Sequence, residues 1–151
     1  MGKFIKEDIN RVLKGTTFAS DKKEYAFVKY PKEAYSDILV ILAKLGELNY
    51  SEIILDKKEL TLIVEFDVWK RLFEHKVQYD TVEDPMAIIT CDVVESTVTG
   101  YLLAITRALS TSDISVFVQG AFTTDHILVF YKDIDLALRL LNKLKIEGMN
   151  F

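Results

Sequence analysis

The order strand, helix, strand, strand, helix runs through this chain twice, and that repetition limits the folds open to it. In the first pass, Glu24–Tyr30 alternates like a strand and stops at Pro31, whose ring nitrogen cannot donate to a ladder. Ile38, Ile41, Leu42 and Leu45 then fall on one helical face, with Gly46 just beyond the end. Ser51–Leu55 and Leu60–Phe66 read as strands joined by the polar turn Asp56-Lys57-Lys58-Glu59. The same tetrapeptide stands at 21–24, and turn chemistry accounts for both copies. Asp67 is the expected N-cap of a short helix carrying Val68, Trp69, Leu72 and Phe73.

The second pass is cleaner. Met86–Val94 reads as a strand and Thr99–Thr111 as a helix burying Leu102, Ile105 and Leu109. Ile114–Gln119 and Ile127–Tyr131 read as strands, and Asp133 caps a helix with Ile134, Ala137, Leu138, Leu141 and Leu144 at helical period. This order is the ferredoxin-like split βαβ arrangement less one edge strand per half. The expected fold is α+β, with two tandem βαββαβ modules whose antiparallel sheets carry helices on one face. The missing strands can come from 16–20, from the tail 146–151, or by exchange between halves. The polar, acidic stretch 77–85 is the expected boundary, dividing the chain into 1–82, with a docking helix over 4–14, and 83–151.

Composition narrows the functions. A formal net charge of −4, with lysines interleaved among acids, disfavours nucleic acid, which wants a concentrated basic surface. No apolar run reaches membrane-spanning length, and the charged start Met1–Lys6 lacks a signal-peptide core, so a cytoplasmic protein without membrane contact is expected. The single Cys91 sits in an apolar run and reads as a small buried hydrophobe.

Catalytic chemistry finds no foothold. Of two histidines, His75 reads as solvated, and His126 follows Asp125 on extended backbone, where neighbours point to opposite faces. Asp125 therefore cannot orient His126 toward Ser115 in a nucleophilic relay. No metal-ligand spacing and no glycine-rich phosphate loop occurs, and Asp80, Glu83 and Asp84 read as a solvated acidic loop. The expectation is a protein without catalysis, cofactor or metal.

What remains is binding. Ser96-Thr97-Val98-Thr99-Gly100 offers hydroxyls and helix N-terminal amides, which favour an anionic group, although ordinary capping also explains them. Asp125, on a turn entering an apolar strand, is able to pair with an ammonium group or to bond its own backbone. Together the two suit the opposite poles of a free α-amino acid.

Thr99-Gly100, Ile114-Ser115-Val116 and Thr124-Asp125-His126-Ile127-Leu128-Val129 resemble the corresponding motifs of ACT domains, especially the cytosolic arginine-sensor subgroup. The resemblance covers the chain from about Tyr25 and is strongest over 97–145. It implies tandem ACT modules, a regulatory role, and an amino acid held at a module or dimer interface by Thr97, Val98, Thr99, Gly100, Ser115, Val116, Thr124 and Asp125. By that analogy, Ser115 and Val116 face the ligand from one module and Asp125 from its partner. Arginine sensors carry four modules where this chain has two, so a homodimer is implied, with any regulated protein contacted in trans. The competing expectation is a ligand-free assembly module whose pocket is closed by Phe117 and Phe122.

Overall fold

A computed structural model of the 151-residue chain describes residues 3–93 and 98–150. Among the described residues it is α+β, with five α-helices, and every strand pair whose register is described is antiparallel. The chain divides into two compact units: a central unit, Lys23–Met86, and a flanking unit built from Met1–Lys22 and Ala87–Phe151. This differs from the expected division into 1–82 and 83–151. The boundary falls after Met86, and residues 1–22 belong with 87–151 rather than with the central unit.

In the central unit, β2 (Tyr25–Pro31) leads through a 3-10 turn at Lys32–Ala34 into α2 (Tyr35–Lys44). The hairpin of β3 (Ser51–Leu55) and β4 (Glu59–Glu65) comes next, then α3 (Phe66–Leu72) and β5 (Thr81–Val82). The strands lie in the order β5-β2-β4-β3, which is the ferredoxin-like order. The register places Ala26, Val28 and Tyr30 opposite Val64, Leu62 and Leu60, so alternate residues of both strands line one face. Ile38, Val68, Trp69 and Phe73 pack on that face. The Asp56 carboxylate accepts from the amides of Lys58 at 2.7 Å and Glu59 at 2.9 Å, fixing the hairpin turn as its sequence predicts.

Two expectations for this unit need correction. Glu65, not Asp67, precedes the helix, and no side chain caps it; Asp67 lies inside the first turn. The polar stretch 77–85 contains β5, because Val82 pairs with Val28 and closes the sheet edge. Polarity misled here, since a two-residue edge strand buries little and carries no apolar signature.

In the flanking unit, β6 (Met86–Asp92) starts on the last central residue and is succeeded by α4 (Tyr101–Ser110), β7 (Phe117–Gly120), β8 (Thr124–Phe130) and α5 (Ile134–Glu147). The fourth strand comes from the other end of the chain. β1 (Thr17–Ala19) pairs with the end of β6, Phe18 opposite Cys91, giving the order β1-β6-β8-β7. The helix before it, α1 (Lys3–Gly15), buries Ile9, Val12 and Leu13 in a cluster with Ile89, Cys91, Ile105, Leu141 and Leu144. Burying three such side chains is worth about 1.5–3 kcal/mol each, enough to hold a terminal segment against its ordering entropy. Thr16 donates to the Val12 carbonyl at 2.8 Å, and Asn10 accepts from the Met149 amide at 2.8 Å. Of the expected sources for the missing strand, 16–20 supplies the one in this unit. The tail does not: α5 runs to Glu147 and ends on Gly148, at φ 77, which favours glycine.

The second-pass pattern also shifts in detail. Tyr101, Ala104, Ile105 and Leu109 form the buried stripe of α4, and Leu102 is exposed. Residues 114–116 are not in the strand, which begins at Phe117. Val94 lies outside the described residues.

Candidate functional site

The end of β6, the start of α4 and the start of β8 lie close together in the flanking unit, where Thr90 meets His126 and Tyr101 neighbours Cys91 and Asp125. Gly100 occupies the N-cap of α4 at φ 90 and ψ −4, a conformation that costs any other residue roughly 1–2 kcal/mol. No described side chain caps the helix; its first turn is joined to the preceding chain by the Tyr101 amide, 3.5 Å from the Val98 carbonyl. Thr99 is exposed, while Val98 and Gly100 are half-buried. The expected ligand residue Thr97, and Ser96 beside it, lie outside the described residues.

Asp125 pairs across the ladder with Gly120, and both Thr124 and Asp125 are half-buried. Alternation puts Asp125 on the face of Ile127 and Val129, which pack under the helices, and puts His126 on the other. There the imidazole is held between two hydroxyls, Thr90 at 3.1 Å from Nδ1 and Thr124 at 3.3 Å from Nε2. The Thr124 hydroxyl thus faces away from Asp125. A Ser-His-Asp relay does not form.

The link between Asp125 and α4 is Tyr101, which the sequence pattern did not single out as a site residue. Its side chain turns inward from the first helical turn and is only 4 % exposed. Burial, first, and then the neighbouring Cys91 thiol and the Asp125 carboxylate push the phenol well above its ordinary range, while Thr16 pulls it down. Thr16 and Cys91 are its hydrogen-bonding neighbours, although neither meets the hydroxyl with strict hydrogen-bond geometry. Cys91 is pushed up to about 12, by burial first, with Asp125 adding to the effect. It is fully buried, as its apolar context predicts. A signal for Tyr101 did exist: it stands three residues before Ala104 and four before Ile105, on the stripe that the helix buries.

Ser115 and Val116 fall elsewhere. Phe117 pairs with Leu128 and Gly120 with Asp125. The ladder begins with that first pair, three residues or roughly 10 Å along β8 from Asp125 at about 3.4 Å per residue, and Ser115 lies two residues before it, outside the strand. Ser115 is exposed, and Val116 leans on the core. Neither Phe117 nor Phe122 fills the space beside Ser115 from within: Phe117 is 37 % exposed and Phe122 wholly so.

Cavities lie elsewhere, apart from these residues. One, of about 290 Å³, runs between the C-terminal halves of α4 and α5, lined by Arg107, Thr111, Lys143 and Glu147 among others. Another, of about 310 Å³ in the central unit, is bounded by Lys23, Glu24, Glu65 and Asp67. There Glu65 accepts from Lys23 and Asn49, each at 3.1 Å. Among the described residues no group of three His, Cys, Asp or Glu side chains is placed to hold a metal ion. No described helix is long and apolar enough to cross a membrane.

No curated protein matches the sequence. Among solved structures, a Vibrio cholerae protein of unknown function, described as a possible transport protein, superposes with a TM-score of 0.71 at 20 % identity, covering 92 % of this chain and 97 % of its own. The regulatory subunit of aspartate kinase from Thermus thermophilus gives 0.62 at 11 % identity, covering 84 % and 96 %. Aspartate kinase from Clostridium acetobutylicum gives 0.61 at 20 % identity, covering 82 % of this chain and 33 % of that one. At these identities the likeness is one of fold, shared with aspartate kinase regulatory domains. The sequence itself is more specific in one stretch: residues 81–143, which span β5 through most of α5, match the ACT domain.

Proposed function

We propose that the chain is a non-catalytic regulatory protein of tandem ACT modules that binds a free amino acid at the α4 end of the flanking unit. The observation that carries this reading is the convergence of a helix N-terminus that no described side chain caps and a half-buried carboxylate, both beside Tyr101. Helix amides take the α-carboxylate and Asp125 takes the ammonium group. The ACT match over 81–143 and the likeness to aspartate kinase regulatory subunits support it. The order β5-β2-β4-β3 of the central unit supports counting it as the second module.

Val98, Thr99, Gly100 and Asp125 form this site within one protomer, with Thr97 assigned on sequence alone and Thr124 assigned for the backbone beside Asp125. Ser115 and Val116 reach it only from a second copy. β7 is an edge strand; pairing two β7 edges antiparallel about a two-fold axis brings residues 115 and 116 of one copy to the Gly120–Asp125 end of the other. A homodimer in the cytoplasm, regulating another protein in trans, fits this arrangement. The rival assembly reading draws on exposed Phe122 and Phe117, apolar surface that suits a protein contact.

Thermal-shift measurement against the twenty free amino acids, arginine included, tests the function. A ligand at a hundred times its Kd adds roughly 2.7 kcal/mol, or roughly 5–11 °C for a chain of this size. Asp125→Ala should remove that shift. No response to any of the twenty favours the assembly reading.

A further inference from the structure

We propose that the groove between the C-terminal halves of α4 and α5 binds a small organic acid with one carboxylate, an apolar chain and no ammonium group, its carboxylate held by Arg107 and Lys143. This site is separate from the start of α4 and does not depend on the amino-acid reading. Arg107 stands in the last turn of α4, and Lys143 in the C-terminal half of α5. Cations there complement the negative ends of the helix dipoles, but a dipole does not call for a hollow between them. The hollow measures about 290 Å³ and has an apolar floor, with Ala108 and Leu140 half-buried and Leu144 buried. Ala108 is small enough to leave that floor open. A ligand chain laid on it removes apolar surface from water, and the cations at the rim receive its charged end.

The lining narrows the ligand. At about 30 Å³ each, the share of a liquid water, the hollow takes about ten non-hydrogen atoms. Arg107 offers a planar fork that grips a carboxylate with two hydrogen bonds, and Lys143 adds a compact point charge. These two cations share the groove with one carboxylate, Glu147, so a ligand bearing a single negative charge leaves it neutral. Glu147 lies one turn beyond Lys143, about 6 Å along α5, and repels a second carboxylate on the same ligand. In a free amino acid the ammonium sits one carbon from the carboxylate, against the same two cations, so such molecules fill this groove poorly.

Octanoate, a chain of the right size, is the probe, followed through the backbone amide shifts of the unsubstituted chain. The expected result is saturable movement confined to residues 107–111 and 140–148. Octanamide, octanedioate and α-aminooctanoate should each bind at least about tenfold more weakly, and so should octanoate to Arg107→Gln or Lys143→Gln. Both side chains are exposed, so these variants keep the fold. Ala108→Leu fills the hollow and should abolish binding. No saturable shift, shifts elsewhere in the chain, or binding of octanamide or α-aminooctanoate as tight as that of octanoate overturns the inference. So does binding within about twofold in both glutamine variants. None of these outcomes touches the amino-acid reading, which is tested at Val98–Tyr101 and Asp125.

Discussion

Leu13→Ala asks whether the N-terminal segment is structural or merely attached. Leu13 is fully buried in the flanking cluster, on the same face of α1 as Ile9 and next to Val12. Truncating a buried leucine removes the transfer free energy of its methyl groups and leaves a cavity, together about 2–5 kcal/mol. A mid-range loss of about 3 kcal/mol lowers the melting temperature by roughly 6–12 °C at about 2–4 °C per kcal/mol. Ile5, on the same helix but 42 % exposed, is the control, and Ile5→Ala should cost less than about 1 kcal/mol. Urea denaturation monitored by far-UV circular dichroism measures both variants. Hydrogen exchange then locates the effect, with faster exchange expected at the amides of β6 and β8. Equal, small losses for the two variants would mean that α1 frays like an ordinary terminus, and the assignment of residues 1–22 to the flanking unit would fall.

Other consequences are simpler to state. Trp69 donates to the Tyr30 hydroxyl at 2.9 Å, both residues being buried; Tyr30→Phe orphans that donor, should cost about 1–3 kcal/mol, and should shift the emission of this single tryptophan. Gly100→Ala forces a side chain into a left-handed position and should cost roughly 1–2 kcal/mol in thermal melting. Burial holds the folded-state values of Cys91 and Tyr30 at about 12, above ordinary values of 9.0 and 10.0. Because the unfolded chain gives up these protons first, the stability they contribute is intact below pH 9 and is lost progressively as pH climbs toward 12. Cys91→Ala should flatten the lower part of that decline in denaturation midpoints. Native Cys91 should also resist thiol reagents at about pH 8 until the chain is unfolded.

Periodicity made most of the elements legible. α2, α4 and α5 emerge from apolar residues three and four apart, and β2 and β4 from alternation, because burial of one face imprints its own period. The partner of each face left no such trace. Ile9, Val12 and Leu13 announce a buried stripe, but nothing in that stripe says that it packs with residues of β6 and α5, more than seventy positions away in the chain. The same limit hid β5, whose pairing through Val82 depends on β2 and not on its own composition. At the candidate site, the helix start at Gly100 and the strand entry at Asp125 were legible as local structure, because a helix start and a polar turn each carry local chemistry. Tyr101 was not, since a tyrosine on a buried stripe looks like packing until it is found beside Cys91 and Asp125. The distance between Ser115 and Asp125 depends on the β7–β8 register, which turn length and pairing decide.

Backbone amide chemical shifts, tracked by NMR as free amino acids are added, probe the proposed site directly. The account predicts that one of them moves the signals of Val98–Tyr101 and Asp125 together and leaves Arg107 and Lys143 in place. Signals that stay fixed throughout, or that move only along the α4–α5 groove, would contradict it.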